Sequence, residues 1–121
     1  MDFNLTDKQK ELVGLARDIA QKEIAPRALS IDKSGVMDEE LLRILKQSGM
    51  TALSVPKEFG GAGLDLLTIA MISEELAKGC AGVATVCAAN SLASFPVLIA
   101  GSDEQKKSYF DCLNEGGMSC F

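Results

Sequence analysis

The chain has 121 residues, of which 47% are hydrophobic and 24% charged, a composition that indicates a folded globular domain and argues against a disordered segment. Twelve basic and seventeen acidic residues give a net charge of −5, so the chain lacks the basic excess that nucleic-acid binding needs. Histidine is absent, which excludes a serine–histidine–aspartate triad and a histidine-ligated metal site.

The first predicted helix begins at a capping box formed by Thr6 and Gln9. Apolar residues recur behind this box at helical spacing, which predicts an amphipathic helix. Pro26 disfavours helical geometry in the residue before it, so we expect the helix to bend or end near Ala25. A short helical continuation is expected to run to Gly35.

The next two predicted helices lie on either side of a loop. Asp38 is the expected cap of the second helix, which ends at Gly49 as a left-handed residue. From residue 51 to residue 64 the helical period is lost and glycines accumulate, which predicts a structured loop. Asp65 is the expected cap of the third helix, which ends at Gly79.

The fourth predicted helix runs from Val83 to about Ala100 and is apolar on nearly every side, as is a helix enclosed by others at the centre of a bundle. Pro96 predicts a break or a new first turn within it. The uncharged stretch between Lys78 and Asp103 is long enough to span a bilayer. Its many small and polar residues, without clustered basic anchors, favour a helix buried inside a protein and no membrane span.

A fifth helix is predicted to start at a capping box of Ser102 and Gln105 and to end at Gly116–Gly117. Residues 118–121 have the apolar character of a strand beginning, and the chain stops there, so we expect a truncation at a domain boundary. The predicted fold is therefore an all-α bundle of about five helices over residues 1–117, followed by the first residues of a missing β-domain.

The four cysteines are Cys80, Cys87, Cys112 and Cys120, and none belongs to a Cys-x-x-Cys pair. On one helix the first two would be about 10.5 Å apart, too far for a disulfide or a shared zinc ion. We expect buried free thiols in a reducing compartment. The N-terminus has the features of neither a signal peptide nor a transit peptide, so the predicted location is cytoplasmic.

One glycine-rich run and two groups of adjacent carboxylates are explained by local structure. The run Phe59–Leu64 precedes a helix, as phosphate-binding loops do, but its spacing matches neither a dinucleotide-binding turn nor a P-loop. Tight turns with positive φ account for its glycines. The carboxylates of residues 38–40 suit a helix start, and Glu74 and Glu75 point apart on a polar helix face, so neither group is an acid/base pair.

One stripe of residues on the fourth predicted helix has two possible interpretations. Ala84, Ala88 and Leu92 recur every four residues and are predicted to share one face of the fourth helix. The two alanines leave space that larger side chains would fill. That space serves either close helix packing or a ligand channel, and the residues alone leave both interpretations open.

Over nearly its whole length the chain resembles the N-terminal helical domain of the acyl-CoA dehydrogenases. The segments that carry the resemblance are Phe3–Thr6 with Gln9, Glu23–Pro26, Pro56–Leu64, Glu74–Ala77, Asn90–Leu92 and Gln105–Tyr109. The segments Ile72–Cys80 and Ile99–Gly101 are most similar to the medium-chain type.

The resemblance implies a longer enzyme built from this domain, a β-domain that begins at Met118 and a C-terminal helical domain. Such an enzyme removes hydrogens from Cα and Cβ of an acyl-CoA thioester, with a glutamate base and with FAD as hydride acceptor. The base and nearly all flavin contacts would lie outside these 121 residues. We therefore expect no catalytic residue, no metal site and no activity in this chain alone, and a homo-oligomer for the whole enzyme.

The resemblance also implies an acyl-CoA site. The residues that match the far end of the acyl channel are Ala84, Thr85, Ala88 and Leu92. Medium-chain relatives carry bulkier polar groups at the two alanine positions, so the channel end is expected to be more open here. The implied substrate has an acyl chain of medium length or longer.

The resemblance further implies a partner, an electron-transfer flavoprotein with an apolar side chain that docks in a hollow of this domain. The matching residues are Ile19, Ala62, Leu64 and Ile72. Leu64 comes after a glycine-rich loop, where we expect it to be exposed, and clustered exposed apolar groups mark contact surfaces. The alternative is that Leu64 packs on the core ahead of the third helix.

Three functions are compatible with these features. The first is the acyl-CoA dehydrogenase domain. The second is an acyl-CoA oxidase or a flavin monooxygenase of the same architecture, in which oxygen receives the electrons. The third is an independent helical interaction module. The residues that would distinguish them lie beyond Phe121.

Overall fold

The computed structural model describes residues 4–120 and contains no strand in that range. Its six α-helices are α1 (Asp7–Ile19), α2 (Ala28–Ser34), α3 (Glu39–Gln47), α4 (Leu66–Gly79), α5 (Ala81–Ala100) and α6 (Asp103–Asn114). A π-helical turn at Ala20–Ile24 and a 3₁₀ turn at Ala25–Arg27 join α1 to α2 into one helical run. The described residues thus form five helical units, which confirms the all-α bundle.

Four of the six α-helices begin where their side-chain caps predict, whereas α2 and α5 have no side-chain cap and α5 begins at Ala81, two residues before the predicted Val83. Thr6 Oγ1 accepts a hydrogen bond from the Gln9 N–H at 3.2 Å, and Gln9 Oε1 accepts one from the Thr6 N–H at 3.0 Å. The other predicted caps are also present, with Asp38 at α3, Asp65 at α4 and the Ser102–Gln105 box at α6. Phe3, which carries part of the family resemblance, and Phe121 lie outside the described residues.

The structure differs from the prediction around Pro26. Regular α geometry ends earlier, at Ile19, and the chain then stays helical through the proline. Pro26 lies in the first turn of the 3₁₀ segment, where its missing N–H is not needed by the helix. The π turn packs closely against the end of α4. A Cβ on Gly79 would lie only 2.8 Å from the Ala20 carbonyl oxygen, so glycine is needed there.

Pro96 does not break its helix, contrary to the prediction. α5 runs without interruption from Ala81 to Ala100, with Pro96 inside it. The proline removes the N–H that would bond the carbonyl of Leu92, one turn earlier. Both residues lie on the exposed side of α5. The carbonyl can therefore bond water there, which lowers the cost of the proline.

The expectation that α5 is enclosed on all sides is also wrong. α4 and α6 cover one side of it, whereas Leu92 is 54% exposed and Ile99 83% exposed on another. Composition cannot distinguish a face covered by the same chain from one that needs cover from elsewhere. Among the described helices, α5 is the one long and apolar enough to cross a membrane, by length and composition only.

The core has two parts. The main core lies between α1, the π turn, α3, α4 and the first half of α5, and its buried members are Ala16, Ile19, Ile24, Leu41, Leu45, Met50, Leu53, Ile72, Leu76, Val83, Ala84 and Cys87. A second cluster joins the loop after α3 to α6 through Val55, Phe110 and Leu113. Phe59 of the loop stacks on Phe110 with ring centroids 5.0 Å apart.

The glycine-rich loop closes on itself. Gly60 and Gly63 have φ values of 85° and 56°, as the prediction of tight turns requires. Gly61 is needed for a different reason, since a Cβ there would lie 1.9 Å from the Val55 carbonyl oxygen. The N–H groups of Gly61 and Gly63 donate to the carbonyls of Pro56 at 2.9 Å and Val55 at 3.2 Å.

All four cysteines are free, as expected. Cys87 is buried in the main core, and burial raises the pKa of its thiol to about 11. Cys80 is half-buried, whereas Cys112 and Cys120 are exposed. The expectation of burial therefore holds only for Cys87, because nothing within residues 4–120 covers Cys112 in α6 or Cys120 after it.

Candidate functional site

The structure separates the four residues expected to line the acyl channel. Ala84 is 7% exposed and belongs to the main core, whereas Thr85, Ala88 and Leu92 lie on the exposed side of α5. Positions four apart differ by about 40° around an α-helix. Ala84 therefore faces the core while Leu92, two such steps later, faces outward.

The exposed side of α5 is mainly apolar. The apolar surface at Leu92 continues along the helix to Phe95 and Ile99, which are both exposed. The hydroxyl of Thr85 donates to the carbonyl of Ala81 at 2.9 Å, so the one polar group of the four candidate acyl residues is satisfied within the helix. A contiguous apolar face of this kind marks a contact surface.

The residues expected to form the partner hollow do not line an open depression together. Ile19 and Ile72 are buried in the main core. Leu64 is half-buried and packs against that core, so the expected exposure is met only in part. Ala62 is exposed. Leu64 is covered because Gly63, with a positive φ, turns the chain inward just before the cap of α4.

Leu64 instead borders a groove of about 490 Å³ between the glycine-rich loop, the start of α4 and the second half of α5. Its wall includes Leu66, Phe95 and Leu98. Leu66 and Phe95 are exposed large apolar residues. The apolar surface next to Leu64 thus continues toward α5, and Ile19 and Ile72 do not belong to it.

An ion pair between the buried Glu75 and the half-exposed Arg17 joins α1 to α4. Glu75 has a side chain only 8% exposed and accepts from Arg17 Nε at 3.2 Å, Arg17 Nη2 at 2.9 Å and Lys78 Nζ at 2.9 Å. These bonds lower the pKa of Glu75 to about 2. Glu74 stays exposed beside Lys78. The predicted polar face is therefore correct for Glu74 and wrong for Glu75, because Arg17 gives the buried carboxylate a partner.

Asn90 was not predicted as a functional residue, yet it has the densest hydrogen bonding of α5. Its Nδ2 donates to the Thr51 carbonyl at 2.8 Å and to the Gly117 carbonyl at 3.2 Å. Its Oδ1 accepts from the Ser119 N–H at 2.6 Å and the Ser119 hydroxyl at 3.2 Å. An asparagine in the middle of an uncharged, mainly apolar helix is the signal that could have found it, since a buried amide needs partners.

Two further hydroxyls complete this polar group. Tyr109 Oη of α6 lies 2.8 Å from Ser119 Oγ, and Ser94 Oγ donates to the backbone carbonyl of Asn90 at 2.7 Å. We call Asn90, Ser94, Tyr109 and Ser119 the junction cluster. It connects α5 and α6 to the segment after α6, so three parts of the chain meet in it.

The described residues offer little that would hold a metal or a phosphate. Within residues 4–120 there is no group of three or more metal-ligating side chains. The amides of Gly61 and Gly63 already bond carbonyls of their own loop. They are therefore not free to bind the phosphates of a nucleotide cofactor.

Comparison with known proteins begins with a family match. Residues 6–117 match the model of the acyl-CoA dehydrogenase N-terminal domain. A probable acyl-CoA dehydrogenase of Mycobacterium leprae is 36% identical over 120 residues, which cover 98% of this chain and 31% of the relative. A short-chain-specific acyl-CoA dehydrogenase of Megasphaera elsdenii is 39% identical over 120 residues, with 96% and 31% covered.

Solved structures give the same likeness. Butyryl-CoA dehydrogenase from Megasphaera elsdenii superposes with a TM-score of 0.83 at 38% identity, over 96% of this chain and 31% of that one. A chain from a structure described as an electron-transferring flavoprotein of Acidaminococcus fermentans gives 0.86 at 34% identity, with the same coverage. This chain spans about 31% of the length of the relatives it matches.

Proposed function

We propose that this chain forms one wall of the acyl site in a longer acyl-CoA-desaturating enzyme. The chain belongs to the acyl-CoA dehydrogenase family and matches its N-terminal domain. The observation that carries the proposal is the apolar face of α5. Leu92 and Ile99 stay largely exposed within this chain, although the other side of the same helix is packed. Such a face needs cover from a substrate or from a further domain.

FAD is the cofactor that we propose for the longer enzyme, where it would accept a hydride from the acyl chain. The glycine-rich loop offers little to the phosphates of a flavin cofactor, because the N–H groups of Gly60, Gly61 and Gly63 bond carbonyls of their own loop. We assign the flavin contacts and the glutamate base to polypeptide beyond this chain. The contribution of these residues is to bind the acyl group and to exclude water from it.

Thr85, Ala88 and Leu92 are the residues that we propose to touch the acyl chain. All three lie on the exposed side of α5, and Ala88 presents only a methyl group. Ala84 lies behind them in the core and affects the channel only through packing. A short side chain at Ala88 leaves room for an acyl chain of medium length or longer, since medium-chain relatives are expected to carry a bulkier group at this position. The alternative is a shorter substrate, since two relatives are named short-chain-specific and butyryl-CoA dehydrogenases.

The electron acceptor that we propose is an electron-transfer flavoprotein. Leu64, which lines the groove that reaches α5, and the exposed Ala62 two residues before it remain candidates to contact it. Ile19 and Ile72 would support this surface from the core behind it. The proposed longer enzyme is a cytoplasmic homo-oligomer, and the four free cysteines fit a reducing compartment.

The test is to read the gene past Phe121 and to assay the longer product with a series of saturated acyl-CoAs. We expect an enoyl-CoA product and reduction of an electron-transfer flavoprotein. Hydrogen peroxide formed in equal amount to the product would instead identify an acyl-CoA oxidase. A reading frame that ends at Phe121 would favour an independent helical module.

A further inference from the structure

We infer that Asn90 is a positioning residue, which sets the direction in which the chain leaves the helical bundle and thereby the placement of the next domain. The inference rests on the proposed function only in assuming that such a domain exists. The match to the family's N-terminal domain ends at residue 117. Asn90 bonds the chain on both sides of Met118, at the Gly117 carbonyl and at the Ser119 N–H.

The hydrogen-bonding capacity of the Asn90 side chain is fully used. A primary amide has two N–H donors and an oxygen that accepts two bonds. Nδ2 bonds the carbonyls of Thr51 and Gly117 and also lies 3.7 Å from Met118 Sδ, and the oxygen accepts from the N–H and the hydroxyl of Ser119. Asn90 is only 1% exposed, so loss of any of these bonds leaves a buried polar group without compensation from bulk water. The side chain is therefore held in one orientation.

The path from α6 to this point is equally constrained. Gly116 has a φ of 88°, which favours glycine. A Cβ on Gly117 would lie 2.6 Å from the sulfur and 2.7 Å from the carbonyl oxygen of Cys112, so the chain passes close to α6. Tyr109 Oη then meets Ser119 Oγ at 2.8 Å. Ser119 is thus fixed from α5 by Asn90 and from α6 by Tyr109.

Fixing residue 119 between two helices sets the starting point and direction of the polypeptide beyond it. Met118, 41% exposed, and Cys120, also exposed, lie on either side of it, and neither belongs to a core cluster. The junction cluster holds the segment with hydrogen bonds. In an enzyme whose reacting groups come from different domains, an error of about 1 Å in their relative placement can cost on the order of 100-fold in rate.

The first test measures hydrogen exchange of the Ser119 amide in the chain of 121 residues. Asn90→Ala should speed this exchange at least tenfold, because the amide loses its acceptor. Asn114→Ala is the matched control, since Asn114 Nδ2 also bonds a carbonyl, that of Phe59 at 2.6 Å, but does not touch the junction cluster. Tyr109→Phe, which keeps the ring and removes one bond to Ser119, should give a smaller increase and serves if Asn90→Ala fails to fold.

The second test uses the longer gene product. We expect Asn90→Ala to lower kcat with acyl-CoA about tenfold while KM changes less than about twofold, because the acyl wall stays and the domain placement is lost. Asn114→Ala should change neither constant.

Unchanged Ser119 exchange in both Asn90→Ala and Tyr109→Phe would overturn the inference. So would faster exchange with an unchanged kcat. If the wild-type product does not act on any acyl-CoA, the proposed function fails, and the exchange experiment still decides whether Asn90 holds the segment.

Discussion

Gln9 Nε2 in α1 donates a hydrogen bond of 3.0 Å to Thr68 Oγ1 in α4, 59 positions away. Each residue also takes part in the N-terminal cap of its own helix. Gln9 closes the capping box with Thr6, and Thr68 donates its N–H and its hydroxyl to the carboxylate of Asp65. The caps of α1 and α4 therefore form one chain of hydrogen bonds, which ties the first turn of one helix to that of the other.

The first prediction concerns this link. Gln9→Ala should lower the free energy of unfolding by about 1–2 kcal/mol, because it removes a box contact and a partly buried hydrogen bond between helices. Gln105→Ala is the matched control, since Gln105 closes the equivalent box in α6. It should cost about 1 kcal/mol or less. Urea unfolding followed by circular dichroism measures both, and equal losses would contradict a role for the link.

The second prediction concerns the pH dependence of stability. The pKa of Glu75 is about 2 in the folded chain, below its ordinary value of 4.5. A lowered pKa stabilises the fold above pH 4.5, and this stabilisation disappears as the pH falls from 4.5 to about 2. Glu75→Gln should cost about 1–3 kcal/mol at pH 7. The difference between the two proteins should shrink toward zero near pH 2.

Glu74→Gln is the control for that series. Glu74 is exposed and pairs with Lys78 at 3.2 Å, so its replacement should change the unfolding free energy by less than about 0.5 kcal/mol. Urea unfolding at intervals between pH 7 and pH 2 supplies both curves. Parallel curves for wild type and Glu75→Gln would mean that the Arg17 pair does not govern the acid response.

The third prediction tests the proposed acyl wall in the longer gene product. Ala88→Phe should shift the preference toward shorter acyl-CoAs, with kcat/KM for the longest good substrate reduced about tenfold or more relative to a short one. Ala100→Phe, at an exposed position near the end of α5, should leave the profile unchanged. An unchanged profile for Ala88→Phe would show that this face only packs against protein.

The fourth prediction tests the proposed partner surface. In the longer product, Leu64→Glu should slow reduction of an electron-transfer flavoprotein, because a charge in a desolvated contact costs a few kcal/mol. Reduction of the enzyme's own flavin by substrate should stay nearly intact. Leu29→Glu, at an exposed leucine of α2, is the control. Equal loss of both half-reactions would mean that Leu64 supports the fold instead.

The starts of the four capped helices could be predicted because each cap depends on residues close in sequence. Thr6 and Gln9, or Asp65 and Thr68, lie within one turn of each other. The ion pair of Arg17 with Glu75 could not, since it joins residues 58 positions apart. No periodic pattern indicates which of two adjacent glutamates meets an arginine from another helix.

The candidate site was harder to predict for a related reason. The spacing of Ala84, Ala88 and Leu92 indicates one helix. Each step of four residues turns the side chain further around the helix axis, so only Ala84 is buried in the core. The hydrogen bonds of Asn90 depend on where the chain returns after α6. Both features require the arrangement of the whole bundle, which the sequence pattern does not contain.

The unequal cysteines give this chain an internal reporter of its own unfolding. Cys87 lies in the main core with a thiol pKa of about 11, while Cys112 and Cys120 face solvent. An alkylating reagent at neutral pH attacks thiolates, so it should label the two exposed sites rapidly and Cys87 only when the bundle opens. The fraction of chains labelled at Cys87, read from the mass of its peptide, then counts open molecules, and no dye or engineered probe has to be introduced.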